Sequence, residues 1–62
     1  MNERDIQRKN AEMWAQEAEA MADTLRAEAL RCVKEDPLRA LELCHRAGFL
    51  RIAARYRRLE AR

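Results

Sequence analysis

A single short segment, Lys34-Glu35-Asp36-Pro37, interrupts an otherwise continuous helical pattern in this 62-residue chain. Pro is favoured in the first turn of a helix, where its missing N–H is not needed, and Asp directly before it is a good N-cap. We therefore predict helix 1 over about residues 3–34 and helix 2 from 37 to about 60. A connection this short makes the two helices antiparallel neighbours.

Gly48 allows two interpretations of helix 2. A Gly after His45-Arg46-Ala47 suits a C-terminal cap, which would divide the segment into two short helices. Two observations favour one continuous helix: no Ser, Thr, Asp or Asn follows to cap a new helix, and the apolar spacing of three and four continues through the Gly. We predict a continuous helix 2, with a kink or interruption at Gly48 as the alternative.

Length and composition indicate one all-α domain over residues 1–62. The chain is 48% hydrophobic and 39% charged, and it contains one Gly and one Pro. A chain this small buries only about 60% of its unfolded surface, so many such chains need disulfides, metals or oligomerisation. The predicted fold is an antiparallel helical hairpin that dimerises into a helical bundle.

One strong apolar stripe on each helix is predicted to form the core of the hairpin, because its members recur in steps of three and four. Residues equally far from the turn should lie side by side, which places Trp14 near Tyr56 and Leu59. The predicted hairpin core comprises Trp14, Ala18, Met21, Leu25, Leu38, Leu41, Phe49, Ile52, Tyr56 and Leu59.

Each helix also carries a second, weaker apolar face. On helix 2 this face lies about 150° from the first stripe. A lone hairpin covers one stripe per helix, so the surplus predicts self-association, most simply a two-fold dimer forming a four-helix bundle. The predicted oligomer face comprises Ala40, Leu43, Ala47, Leu50 and Ala54 on helix 2, and Ile6, Met13, Ala20 and Ala27 on helix 1.

His45, the only His, falls within the strong stripe of helix 2. We expect a neutral His buried in the seam between the helices. The alternative is a pH-sensitive contact, because a charged imidazole would loosen an apolar seam. Cys44 and His45 are adjacent and point about 100° apart on a helix. Cys32 does not align with Cys44 across the turn, so we expect no metal, no cofactor and no disulfide.

Charge is distributed unevenly along the chain. Residues 1–37 hold six basic and nine acidic groups, a net −3, whereas residues 38–62 hold seven Arg and two Glu, a net +5. Charge pairs between the helices are one interpretation, and a cationic surface for nucleic acid or an acidic protein is the other. The candidate partner-binding residues form the Arg edge of helix 2, which comprises Arg51, Arg55, Arg58 and Arg62.

Catalysis has little support in the sequence. The chain contains no Ser, no second His and no glycine-rich loop, so we expect no enzyme. No apolar run approaches the roughly 18–20 residues of a membrane span, and two Cys without an export signal predict a cytoplasmic location. The expected function is a non-enzymatic interaction or regulatory module that acts on another protein as a homo-oligomer. The alternative is a nucleic-acid-binding dimer that uses the Arg edge.

Overall fold

The computed structural model describes residues 2–62 and contains two helices, α1 (Glu3–Cys32) and α2 (Pro37–Glu60), packed as an all-α hairpin. The predicted all-α helical hairpin and both predicted helices are confirmed, whereas dimerisation stays a prediction. Asn2 caps α1, where its Oδ1 accepts a hydrogen bond from the Asp5 N–H at 2.9 Å. Asp36 caps α2 in the predicted manner, accepting from the Arg39 N–H at 3.1 Å, with Pro37 as the first helical residue.

α2 is continuous through Gly48, as predicted. The residue lies in helical conformation and its φ is not positive.

The hairpin is a rod of 51 × 14 × 9 Å, measured over the Cα atoms. Neither of its helices has a segment long and apolar enough to cross a bilayer, within residues 2–62.

The core of the hairpin is a seam of small residues. Eight Ala and one Leu are buried. Leu25, Leu50 and Cys32 are partly buried and pack against this seam. Small side chains let two helix backbones approach closely. The buried residues of the seam are Ala11, Ala15, Ala18, Ala22, Ala29, Ala40, Leu43, Ala47 and Ala54.

α2 turns a different face toward α1 from the one predicted. The prediction that its large residues form the hairpin core was wrong, because all six are between 49% and 79% exposed. The helix 2 residues assigned to the oligomer face lie in the seam instead, which corrects that prediction too. The six exposed residues are Leu38, Leu41, Phe49, Ile52, Tyr56 and Leu59. The five residues in the seam are Ala40, Leu43, Ala47, Leu50 and Ala54.

α1 follows its prediction more closely. Of its predicted core residues, Ala18 is buried and Leu25 is partly buried, whereas Trp14 and Met21 are exposed. The α1 residues assigned to the oligomer face are exposed in the hairpin: Ile6, Met13, Ala20 and Ala27.

The axial register agrees with the predicted one. Ala15, Ala18 and Ala54 form one buried cluster far from the turn. Ala29, Ala40 and Leu43 form another close to it. In both clusters the residues of the two helices lie about equally far from the turn. The prediction therefore failed in the rotation of α2 about its own axis and not in its position along α1.

Candidate functional site

The outer face of α2 carries six of the twelve large apolar residues that are exposed among residues 2–62. Its members recur in steps of three and four along the side of the helix opposite the seam. Leu38 is 79% exposed and Phe49 is 71% exposed. Contiguous apolar surface of this kind marks interaction sites, since monomeric proteins rarely expose large patches. The outer face consists of Leu38, Leu41, His45, Phe49, Ile52, Tyr56 and Leu59.

His45 lies in the middle of this face and is exposed. Its predicted burial between α1 and α2 was wrong, because α2 presents Ala47 and Leu43 to α1 in its place. Within the hairpin, His45 therefore cannot act as a pH-sensitive seam residue.

A shallow groove extends the apolar surface from α2 toward α1. The groove has a volume of about 490 Å³. Met21, Leu25, Phe49 and Leu50 supply its apolar walls, and His45 and Arg46 also line it. A smaller cleft of about 140 Å³ continues past Met21 and Leu50 to Trp14. Because Phe49 belongs to the outer face and to the groove, the exposed apolar surface continues around one side of the hairpin.

Trp14 is covered by a cation and not by the predicted apolar pair. Its side chain is 39% exposed, and the Arg57 guanidinium lies 5.2 Å from the ring centroid. This distance is within the range of a cation–π interaction. Tyr56 and Leu59, which were predicted to close over Trp14, lie on the outer face of α2 instead.

The opposite side of the hairpin is an ion-paired flank, formed by Glu12, Glu19 and Asp23 of α1 with Arg51 and Arg58 of α2. Arg58 bridges two carboxylates: its Nε lies 2.8 Å from Glu12 Oε2, and its Nη2 lies 2.7 Å from Glu19 Oε1. Arg51 Nη2 lies 2.9 Å from Asp23 Oδ1. The guanidinium of Arg58 donates four hydrogen bonds to these two Glu side chains, which fixes its orientation.

The hydrogen bonds between Arg58 and the two Glu side chains shift the pKa of all three groups. The hydrogen bonds donated by Arg58 lower the pKa of Glu12 and of Glu19 below the ordinary value of 4.5. The same bonds, from Glu19 first and Glu12 second, raise the pKa of Arg58. Near the turn, a hydrogen bond to Glu28 at 3.2 Å raises the pKa of Arg39.

The Arg edge is divided between two roles. Arg51 and Arg58 bind carboxylates of the chain's own first helix, as the charge-pair interpretation predicts. Arg55 and Arg62 form no ion pair with the described residues, and both line an open cleft beside Asp23 and Glu19. Of the four Arg residues that the sequence offered to a partner, two are therefore already bound to carboxylates of α1.

The lowered pKa values predict acid sensitivity. A carboxylate with a depressed folded-state pKa contributes stability that is present above its unfolded pKa and is lost as pH falls through the folded value. The melting temperature should therefore change little between about pH 7 and 5 and should fall below about pH 4.5. Arg58→Gln should flatten this fall, whereas Arg55→Gln should keep it. Melting followed by circular dichroism across this pH range tests the prediction. Melting temperatures that depend on pH in the same way for the wild type and for Arg58→Gln would contradict it.

Comparisons with family models, with characterised proteins and with solved structures found no match to this chain. Among residues 2–62, no group of three or more His, Cys, Asp or Glu is placed to hold a metal ion. Cys32 and Cys44 are both free thiols.

Proposed function

We propose that the chain is a small non-enzymatic interaction module that works as a helical homo-oligomer, most simply a dimer. The observation that carries this proposal is the contrast between the seam and the outer face of α2. The seam buries eight Ala and one Leu, whereas six large apolar side chains of α2 are exposed. Burying a large aliphatic or aromatic side chain stabilises a fold by about 1.5–3 kcal/mol, far more than burying Ala. A second copy is the simplest source of that burial.

The size of the chain supports the same proposal. Below about 70–80 residues, a hydrophobic core rarely contributes more than about 3–5 kcal/mol of net stability. Small domains add disulfides, metals or further subunits. In this hairpin both thiols are free, so further subunits are the favoured addition. Free thiols also suit the reducing cytoplasm that we propose as its location.

Binding is favoured over catalysis by the chemistry of the exposed surface. The groove beside Phe49 is lined by Met, Leu and Phe with one His and one Arg, and it is open to solvent. Enzyme sites usually combine an enclosed pocket with a nucleophile or an acid–base pair. An open apolar groove is better suited to hold the side chains of another helix.

Nucleic-acid binding through the Arg edge is the weaker alternative. Arg51 and Arg58 already donate to carboxylates. Asp23, Glu12 and Glu19 lie along the same flank, and their negative charges would repel a phosphate backbone. A steep loss of binding to a short RNA or DNA duplex as salt rises would favour this alternative.

Analytical ultracentrifugation of matched variants tests the proposal. Ile52 and Met13 are equally exposed, at 59% and 58%, on α2 and α1. The wild type should sediment as a species larger than 7.3 kDa. Ile52→Asp should shift it toward the monomer with unchanged helical circular dichroism, because an unpaired carboxylate is costly to bury. Met13 belongs to the α1 group first assigned to the oligomer face, but the proposed contact uses α2, so Met13→Asp should leave the oligomer intact. A wild type that remains a 7.3 kDa monomer at high micromolar concentration would refute the proposal.

A further inference from the structure

We infer that α2 packs antiparallel against α2 of a second copy, outer face to outer face, around a two-fold axis at the Gly48–Phe49 peptide bond. This inference rests on the proposed self-association and specifies its contact surface. The seam and the outer face lie on opposite sides of α2, so α2 would be covered on both. The four helices would then lie in a row, with the two α2 helices in the middle and the two α1 helices outside.

Gly48 supplies the first argument. Gly is among the least favourable residues in a helix interior, and this one is in the middle of a 24-residue helix. Nothing inside the hairpin requires it: its φ is not positive, and a Cβ added to it would meet no atom within 4 Å. A Gly in that position is explained by the close approach of another backbone. The open space beside it leaves room for that approach.

The spacing of the outer face supplies the second argument. Leu38 and Leu59 lie equally far from the Gly48–Phe49 bond, in opposite directions. Leu41 and Tyr56 form a second such pair, and His45 and Ile52 form a third. In an antiparallel two-fold contact, each residue meets its symmetric counterpart in the second copy. Apolar residues of the outer face would thus face one another along its whole length.

At the axis itself, the two copies of Gly48 lie within about 1.5 Å of each other along the helices, and so do the two copies of Phe49, so each of these residues also meets its own copy. The two Phe49 rings meet on one side of the line of contact, where offset stacking is favourable. The two Gly48 residues meet on the other side, where the absence of side chains lets the helices come close. A large residue and a Gly at the axis are therefore complementary.

Charge decides between antiparallel and parallel contact. Residues 38–50 carry Arg39, Arg46 and Glu42, a net +1, whereas residues 51–62 carry five Arg and one Glu, a net +4. A parallel contact would place the two Arg-rich halves beside each other. An antiparallel contact separates them to opposite ends of the pair, which lowers the repulsion.

An anionic membrane is a less favourable occupant of this face. Arg residues on both sides of an apolar helix face are typical of membrane-surface helices. However, helical spacing places Glu42 and Glu60 directly beside the outer face, where they would oppose an anionic lipid surface. A lipid surface would also leave the central Gly48 without a structural reason.

Cross-linking of single-cysteine variants tests the arrangement, in a background where Cys32 and Cys44 are replaced by Ala. Gly48→Cys should form a disulfide-linked homodimer on mild oxidation, because position 48 lies at the axis and a disulfide needs Cα atoms about 4.4–6.8 Å apart. Leu38→Cys alone should not form a disulfide-linked homodimer, since the two copies of that position would be about 30 Å apart along the helices. Mixing Leu38→Cys with Leu59→Cys should restore cross-linking, at least tenfold above either variant alone.

The outcomes separate the antiparallel arrangement of α2 from the self-association on which it rests. Homodimers of Leu38→Cys and of Leu59→Cys, with no product from Gly48→Cys, would overturn the antiparallel arrangement while leaving self-association in place. An unmodified chain that is monomeric by sedimentation would overturn both. Cosedimentation with vesicles of phosphatidylcholine and phosphatidylglycerol, with no cross-linked dimer in solution, would assign the face to a membrane.

A bulky substitution at the axis provides an independent measurement. Gly48→Leu should keep the hairpin helical, because a Cβ at position 48 meets no atom within 4 Å inside one chain and Leu is a better helix former than Gly. It should weaken self-association at least tenfold by holding the two α2 helices apart. An association constant equal to that of the wild type would overturn the inference.

Discussion

Replacing Ala15 by Leu should lower the melting temperature of the hairpin by roughly 4–24 °C. Ala15 is fully buried, and it clusters with Ala18 and with the fully buried Ala54 of α2. Extra methylene groups in a close-packed site typically cost about 1–3 kcal/mol. A chain of this size rarely has more than about 3–5 kcal/mol to lose. Each kcal/mol corresponds to roughly 4–8 °C in the melting temperature of a small domain.

The matched control is Ala20→Leu on the same helix. Ala20 is exposed, so its replacement should change stability by less than about 0.5 kcal/mol. Both variants should be melted at one fixed protein concentration, since the proposed self-association would make the melting temperature depend on concentration. Equal melting temperatures for the two variants would show that α1 and α2 do not meet at the alanine seam.

The turn and the helices could be predicted from the sequence because local chemistry determines them. Asp36 and Pro37 specify a helix start through their own capping geometry, with no contribution from distant residues. The axial register could also be predicted, since a short connection lets each residue meet one about equally far from the turn. The continuity of α2 through Gly48 followed from the uninterrupted apolar spacing.

The rotation of α2 could not be predicted from hydrophobicity alone. Both of its apolar faces have the spacing of three and four, and the face with Phe49 and Ile52 is the more hydrophobic one. Predicting that the more hydrophobic face forms the core assumes that a single hairpin must bury its largest residues. If a second copy covers them, that assumption does not hold, and the small residues remain for the seam between α1 and α2.

One signal in the sequence could have identified the correct rotation. Arg51 and Arg58 flank the Ala47–Ala54 side of α2, and each lies about as far from the turn as an acidic residue of α1. Only a rotation that turns this side toward α1 brings Arg51 to Asp23 and Arg58 to Glu12. Position along the hairpin and charge together therefore carry information that hydrophobic periodicity lacks.

Reversing the charge of Arg58 should destabilise the hairpin more than any other single surface charge change. Arg58→Glu removes four hydrogen bonds and places a third carboxylate beside Glu12 and Glu19, with Asp23 on the same flank. Like charges at this separation repel, and the repulsion weakens as salt screens it. Arg55→Glu makes the same charge change at a position that has no ion pair among residues 2–62, so its melting temperature should stay close to that of the wild type.

Restoring the opposite charge separates the ion pair from other effects of the substitution. Adding Glu19→Arg to Arg58→Glu recreates a salt bridge with reversed polarity and should recover much of the lost melting temperature. Glu19→Arg alone should be destabilising, because it places a second guanidinium beside Arg58 and removes one of its two carboxylates. This non-additivity is what a direct pairwise interaction produces. Equal melting temperatures for Arg58→Glu and Arg55→Glu, or no recovery in the double variant, would mean that the ion-paired flank does not set the rotation of α2. The alanine seam would then have to specify that rotation by the fit of its small side chains alone.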